Sequence, residues 1–140
     1  MSKLWEKESK VDKKIEEFTV GNDYILDEEL IRYDCLGSIA HCRMLGKIGI
    51  LEDKEVEKTI GILEEIIDKE TLEILPNQED CHTAIENYLT EKLGDIGKKI
   101  HTARSRNDQI LTALRLYYLD KIDDCRNFVE GFNFIKFYIV

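Results

Sequence analysis

Apolar residues recur along this chain mostly at spacings of three and four, the period of helices with one buried face. Val11, Ile15 and Phe18 predict a short amphipathic helix that Gly21-Asn22-Asp23 breaks. Asp27 is placed to cap the next helix, with Leu30 at its fourth position. Leu30, Ile31, Cys35, Ile39, Cys42, Leu45 and Ile48 then keep to one broad stripe as far as Gly49, a residue suited to helix C-termini. Behind a cap at Asp53, Val56, Ile60, Leu63 and Ile67 form an inward row under a Glu- and Lys-rich face. The stretch from Thr71 to Gln78 contains Pro76 and reads as a connection, in which Leu72, Ile74 and Leu75 allow a brief extended pairing. Another helix starts near Glu79-Asp80, where acids suit the positive end of the dipole. Its inward row is Ile85, Leu89 and Leu93, and Gly94 and Gly97 close it. The last helix follows His101–Asn107 and carries Ile110, Leu114, Tyr117, Tyr118, Ile122, Cys125 and Val129.

The fold class is therefore all-α, with long helices joined by short turns. At 140 residues and 43% hydrophobic content, the chain has enough apolar mass for one core. Its end is unusual: Phe132, Phe134, Phe137, Tyr138, Ile139 and Val140 form no polar tail. Such an ending is expected to pack on something else or to mark a truncated chain, and to drive self-association.

Charge and cysteine usage narrow the function classes. With 29 acidic against 20 basic side chains, the formal charge is -9, the wrong sign for sequence-blind nucleic-acid binding. No run approaches the roughly 20 apolar residues of a membrane span, so no membrane partner is expected. Met1 to Lys10 is charged throughout, unlike a secretory signal, and the expected location is cytoplasmic. Cys35, Cys42, Cys81 and Cys125 form no CxxC pair and read as reduced thiols. The three histidines show no ligand spacing with them, so no metal and no other cofactor is expected.

One segment differs from the rest. His101-Thr102-Ala103-Arg104-Ser105-Arg106-Asn107-Asp108-Gln109 is polar at every position except Ala103, and it lies between Ile100 and Ile110. Ser105 and Asp108 have the spacing of a capping box, which predicts a helix start here. A helix start offers unpaired N–H groups and partial positive charge to an anion. Arg104 and Arg106 add planar forks matched to carboxylate or phosphate, and Thr102, Ser105 and Asn107 add neutral donors. The physical expectation is a pocket for a small anion, by preference a carboxylate. On the residues alone, a capped helix start whose arginines pair with surface acids remains an alternative, such pairs being worth under ~1 kcal/mol.

His101–Gln109 closely resembles the first signature block of the argininosuccinate lyases, in the fumarase/aspartase superfamily, which usually reads H-T-G-R-S-R-N-D-Q. Ala103 replaces the glycine, and every other position agrees. Gly37-Ser38-Ile39-Ala40-His41, followed by Met44-Leu45 and Gly49-Ile50-Leu51, resembles the family's G-S-I-A-H helix. Glu79-Asp80-Cys81-His82, with Ile85-Glu86, resembles its E-D-V-H-x-x-I-E stretch, and Lys3-Leu4-Trp5 its opening.

The resemblance implies a reversible elimination that splits argininosuccinate into arginine and fumarate. A base removes a proton next to a carboxylate, a negatively charged aci-carboxylate forms, and an acid helps the guanidino nitrogen leave. No metal or organic cofactor is implied. Ser105, Arg106 and Asn107 stand at family positions that line the substrate pocket, and Asn107 is the foremost candidate for substrate contact. His82 stands at a family position near the active site; its structural alternative is a helix-start histidine satisfied by Glu79 or Glu86. His41 lies within the apolar period of its helix and is expected to be structural. Where the family often has F-N-x-S-I with a substrate-binding serine, this chain has no serine, and Asn22 is a substitute donor.

The resemblance covers roughly residues 3 to 125 and implies the first part of a subunit. Residues 1–107 would be the N-terminal helical domain, and 108–140 the incomplete start of a central helical bundle. The family's Thr-His block and its Ser-rich loop with Met-Pro and lysine do not occur in these residues. No catalytic residue is therefore assigned, and the chain alone is expected to be inactive. Homotetramers are implied for the full-length family. Two other readings stay open: a helical structural or interaction protein that kept the fold and lost the chemistry, and an independent anion-binding helical domain.

Overall fold

A computed structural model describes residues 23–69, 72–75, 78 and 80–138. The helix expected over Val11–Phe18, the Lys3-Leu4-Trp5 opening, Asn22, Pro76 and Glu79 lie outside the described residues. A short α1 (Asp23–Leu26) runs through a 3-10 helix (Asp27–Leu30) into α2 (Ile31–Lys47). Then follow α3 (Asp53–Lys69), α4 (Cys81–Leu93), the short α5 (Asp95–Lys99) and the long α6 (Arg106–Tyr138). There is no strand among the described residues, so the fold is all-α, and Leu72–Leu75 forms no pairing.

Two expected caps are corrected. The chain is already helical from Asp23, so Asp27 has no helix start to cap on its own element. Its carboxylate instead accepts the Cys81 N–H at 3.3 Å and serves the start of α4 from across the fold. Asp53 is itself inside α3, and the turn is closed by the Glu52 N–H donating to Glu55 Oε2 at 2.9 Å.

The core joins Cys35, Ile39, Cys42 and Leu45 of α2 to Leu63 and Ile66 of α3, Ile85 and Leu89 of α4, and Leu51 and Ile100. Burying each large aliphatic side chain stabilises by roughly 1.5–3 kcal/mol. The inward row of α3 differs from the expected one. Thr59, Leu63 and Ile66 are buried, whereas Val56, Ile60 and Ile67 are only partly so. Thr59 is tolerated inside because its hydroxyl donates to the Glu55 carbonyl at 2.8 Å.

Gly49 ends α2 with φ +77°, as expected of it. Gly97 does not end α4. It lies within α5, where a Cβ would come within 2.5 Å of the Leu89 carbonyl, so this glycine lets the α5 backbone touch that of α4.

The long α6 crosses α2, burying Ala113 and Gln109. The Tyr33 and Tyr117 rings meet edge to face at 5.5 Å. The Tyr33 hydroxyl donates to Asp120 and the Tyr117 hydroxyl to Glu29, both at 3.0 Å. From Tyr118 to Gly131 every residue is exposed, so α6 leaves the body of the fold. Cys125 is on this exposed portion, while Cys35, Cys42 and Cys81 are buried free thiols. The side chains of the aromatic ending from Phe132 lie outside the described residues. Among the described residues no helix is long and apolar enough to cross a membrane.

Candidate functional site

The capping box of the sequence forms at the start of α6. Ser105 Oγ donates to Asp108 Oδ2 at 2.7 Å and accepts the Asp108 N–H at 3.2 Å. The Ser105 N–H donates back to Asp108 at 3.1 Å, which completes the reciprocal pair. These bonds hold the Asp108 carboxyl below its ordinary range. They also occupy the Ser105 hydroxyl, which donates to and accepts from Asp108.

Just ahead of the box, Ala103 has φ +57°, a left-handed conformation that costs a residue with a Cβ about 1 kcal/mol. The loop is fastened to α2 on either side of it. His41 Nε2–H donates to the Thr102 carbonyl at 3.0 Å, so His41 is an anchor for the loop and not a core residue. The Arg104 guanidinium donates to Ser38 Oγ at 3.0 Å. Burial lowers the Arg104 pKa, opposed by the nearby carboxylates of Asp34 and Glu86, and its Nε is buried without a partner.

Arg106 points to the start of α4. Its guanidinium lies 3.0 Å from Asp80 Oδ2 and donates to Thr83 Oγ1 at 2.7 Å. Asp80 also caps α4 by accepting the Thr83 N–H at 2.8 Å. Asn107, one residue further on, is exposed and makes no side-chain hydrogen bond within the described residues. Like His101 and Thr102, which are also exposed and without a side-chain hydrogen bond among the described residues, it is left free for a ligand, and it alone of the three stands on α6.

Beneath this corner lies a buried polar cluster. Asp34 is 1% exposed, and its carboxylate accepts from His82 Nδ1 at 2.8 Å and from Gln109 Nε2 at 2.7 and 2.9 Å. His82 is thus satisfied by Asp34 and makes no bond to Glu86 among the described residues, and at 3% exposure it is an interior residue. Cys81 is fully buried beside it, and burial with the negative charge of Asp34, Asp27 and Asp80 pushes its thiol pKa far up.

A groove of about 310 Å³ opens next to the cluster, with Asp34, His41, Arg104, Asp108 and Gln109 among its walls. Ser105, Arg106 and Asn107 follow one another beside this groove without lining it. A larger groove of about 770 Å³, walled by Tyr33, Tyr117, Glu28 and Lys121, includes no residue expected in the site. Sequence reasoning missed Asp34, Ser38, Asp80, Thr83 and Gln109. A signal did exist for the first two: Asp34 and Ser38 stand four apart beside Cys35 and Ile39 on the inward stripe, where an unpartnered carboxylate would be costly.

Residues 1–133 match the family model described as "Lyase", and the chain belongs to that family. Among curated proteins, it is 48% identical to an argininosuccinate lyase of Thermotoga neapolitana, over 96% of this chain and 37% of the relative. It is 44% identical to an argininosuccinate lyase of Bacteroides thetaiotaomicron, over 91% of this chain and 29% of the relative. A third argininosuccinate lyase, of Thermoanaerobacter sp. strain X514, is 46% identical over 86% of this chain and 27% of its own length. The resemblance read from residues 101–109 is borne out, and the chain spans about a third of the length of these relatives.

Proposed function

We propose that this chain supplies the first arginine block of an argininosuccinate lyase, the enzyme that eliminates fumarate from argininosuccinate to give arginine. The observation that carries this reading is the division of labour at the start of α6. Arg106 is braced by Asp80 and Thr83, Ser105 is spent on the cap, and Asn107 next to them is exposed and unpaired among the described residues. In the elimination, negative charge grows on a carboxylate after its neighbouring carbon loses a proton. Donors fixed in advance stabilise that charge without reorganising. The Asn107 amide, the outer edge of the Arg106 guanidinium and the N–H groups of the first turn of α6 fit that role. His82, paired with Asp34, supports the block from beneath. Asn22 remains a candidate second donor.

In this reading, residues 1–107 form the N-terminal helical domain and α6 begins the central bundle of a homotetramer in the cytoplasm. The exposed apolar positions Leu119, Ile122 and Phe128 of α6 supply the bundle contacts. The acid and base come from other blocks of the subunit or its partners, so these 140 residues bind substrate without turning it over. The test is fumarate release from argininosuccinate by the purified chain, alone and mixed with an argininosuccinate lyase whose own arginine block is disabled. No release alone and recovered release in the mixture support the proposal. Full turnover by the chain alone, or no recovery in a mixture shown to co-assemble, contradicts it.

A further inference from the structure

We propose that Thr83 is a positioning residue for the ligand-binding arginine. Its hydroxyl closes a ring of three side chains, with Asp80 and Arg106, that fixes which edge of the Arg106 guanidinium is offered to a carboxylate. This rests on the reading above, in which Arg106 meets the substrate, and adds the group that aims it.

The ring consists of two hydrogen bonds and one ion pair. Arg106 Nη2–H donates to Thr83 Oγ1 at 2.7 Å, Thr83 Oγ1–H donates to Asp80 Oδ1 at 2.9 Å, and Asp80 Oδ2 lies 3.0 Å from Arg106 Nη1. A hydroxyl has a single hydrogen. Thr83 gives it to the carboxylate, so what it presents to the guanidinium is a lone pair. An acid on one side and a cation on the other polarise this hydroxyl, and bonds assisted by charge in this way are short and strong.

The base of the ring is firm. Asp80 caps α4, and its Oδ1 also accepts the Thr83 N–H at 2.8 Å. Both partners of Arg106 therefore sit at the start of one helix, while Arg106 opens another. Their parts differ. The ion pair with Asp80 attracts the guanidinium without orienting it, whereas a hydrogen bond is directional. The bond to Thr83 is the one hydrogen bond of this guanidinium among the described residues. Asp80 and Thr83 together engage both terminal nitrogens, which leaves the edge carrying Nε–H. Nε with one terminal nitrogen forms a planar fork that matches a carboxylate. The Arg106 side chain keeps 29% of its exposure, enough for that edge to be reached.

The test pairs Thr83→Val, which keeps the shape and removes the hydroxyl, with Thr83→Ser, which keeps the hydroxyl. Both are made in the full chain, and circular dichroism checks that they fold. The first readout is the NMR spectrum of the Arg106 guanidinium, assigned by its loss in Arg106→Lys. Separate Nη signals are expected for the unmodified chain and Thr83→Ser, and one averaged signal for Thr83→Val, where rotation is released. The second readout is calorimetric titration with argininosuccinate. Affinity should fall about fivefold in Thr83→Val and less than about twofold in Thr83→Ser. Averaged signals in the unmodified chain, or a folded Thr83→Val that binds as tightly as the original, overturn the proposal. Separate signals that average in Thr83→Val, in a chain that binds no argininosuccinate, support the positioning of Arg106 and count against the functional reading instead. Where Thr83→Val does not fold, the spectra of the unmodified chain and of Thr83→Ser decide.

Discussion

The side-chain amide of Gln109 grips both carboxylate oxygens of Asp34, at 2.7 and 2.9 Å, across 75 positions of sequence. With His82 on the same carboxylate, this one acid links the starts of α4 and α6 to the first turn of α2. Asp34→Ala strands two buried donors and is expected to destabilise the chain by about 3 kcal/mol. Asp34→Asn, which keeps an acceptor, should cost less. Urea unfolding of both variants measures this, and a loss under about 1 kcal/mol for the alanine variant would contradict a structural role for the cluster.

The left-handed backbone at Ala103 leads to an opposite prediction. Glycine tolerates φ +57° without the clash of a Cβ, so Ala103→Gly relieves strain while loosening the unfolded chain. Relief of about 1 kcal/mol exceeds the entropic cost, and a small net gain in stability is expected. A raised urea midpoint with unchanged slope is the expected result. A lowered midpoint would contradict strain at this turn.

His41 introduces a pH dependence of definite sign. Burial lowers its pKa below the ordinary 6.5, aided by Arg104 and His101 and opposed by the Thr102 carbonyl. The unfolded chain therefore binds this proton more readily than the folded one. The contribution is fully present above pH 6.5 and is lost as the pH falls through the window below it. Unfolding midpoints measured from about pH 7.5 to about pH 5.5 should decline, and less steeply in His41→Gln. Equal slopes in the two proteins would show that His41 does not set the dependence.

The exposed portion of α6 has its own consequence. Leu119, Ile122 and Val129 are each more than half exposed, an apolar face that a lone chain leaves in water. Sedimentation of the chain should reveal oligomers, and Leu119→Glu combined with Ile122→Glu should return it to monomer. A clean monomer for the unmodified chain would contradict this.

Much of this fold is legible in the sequence because helical burial follows a simple period. Cys35, Ile39, Cys42, Leu45, Ile85 and Leu89 lie inside as their spacing requires, and the Ser105–Asp108 cap forms where its spacing puts it. The errors occur where polar chemistry overrides hydrophobicity. Thr59 enters the core by donating to its own helix, and Asp27 gives its carboxylate to a helix start 54 positions away. In the candidate site, the local block 101–109 was legible because neighbouring residues build it. The support from Asp80 and Thr83 was not, since pairings across helices leave no period along the chain, and for Asp34 the inward stripe showed a buried acid but not its partners.

The central claim is that the start of α6 receives a succinyl carboxylate through Asn107, and calorimetric titration of the full chain with argininosuccinate tests it most directly. Saturable binding of one ligand per chain is expected. It should weaken at least tenfold in Asn107→Ala, roughly the loss of one charge-assisted hydrogen bond, with the melting temperature little changed because Asn107 is exposed and its side chain makes no hydrogen bond within the described residues. An unmodified chain that binds nothing, or an Asn107→Ala variant that binds as tightly as the original, would contradict the account.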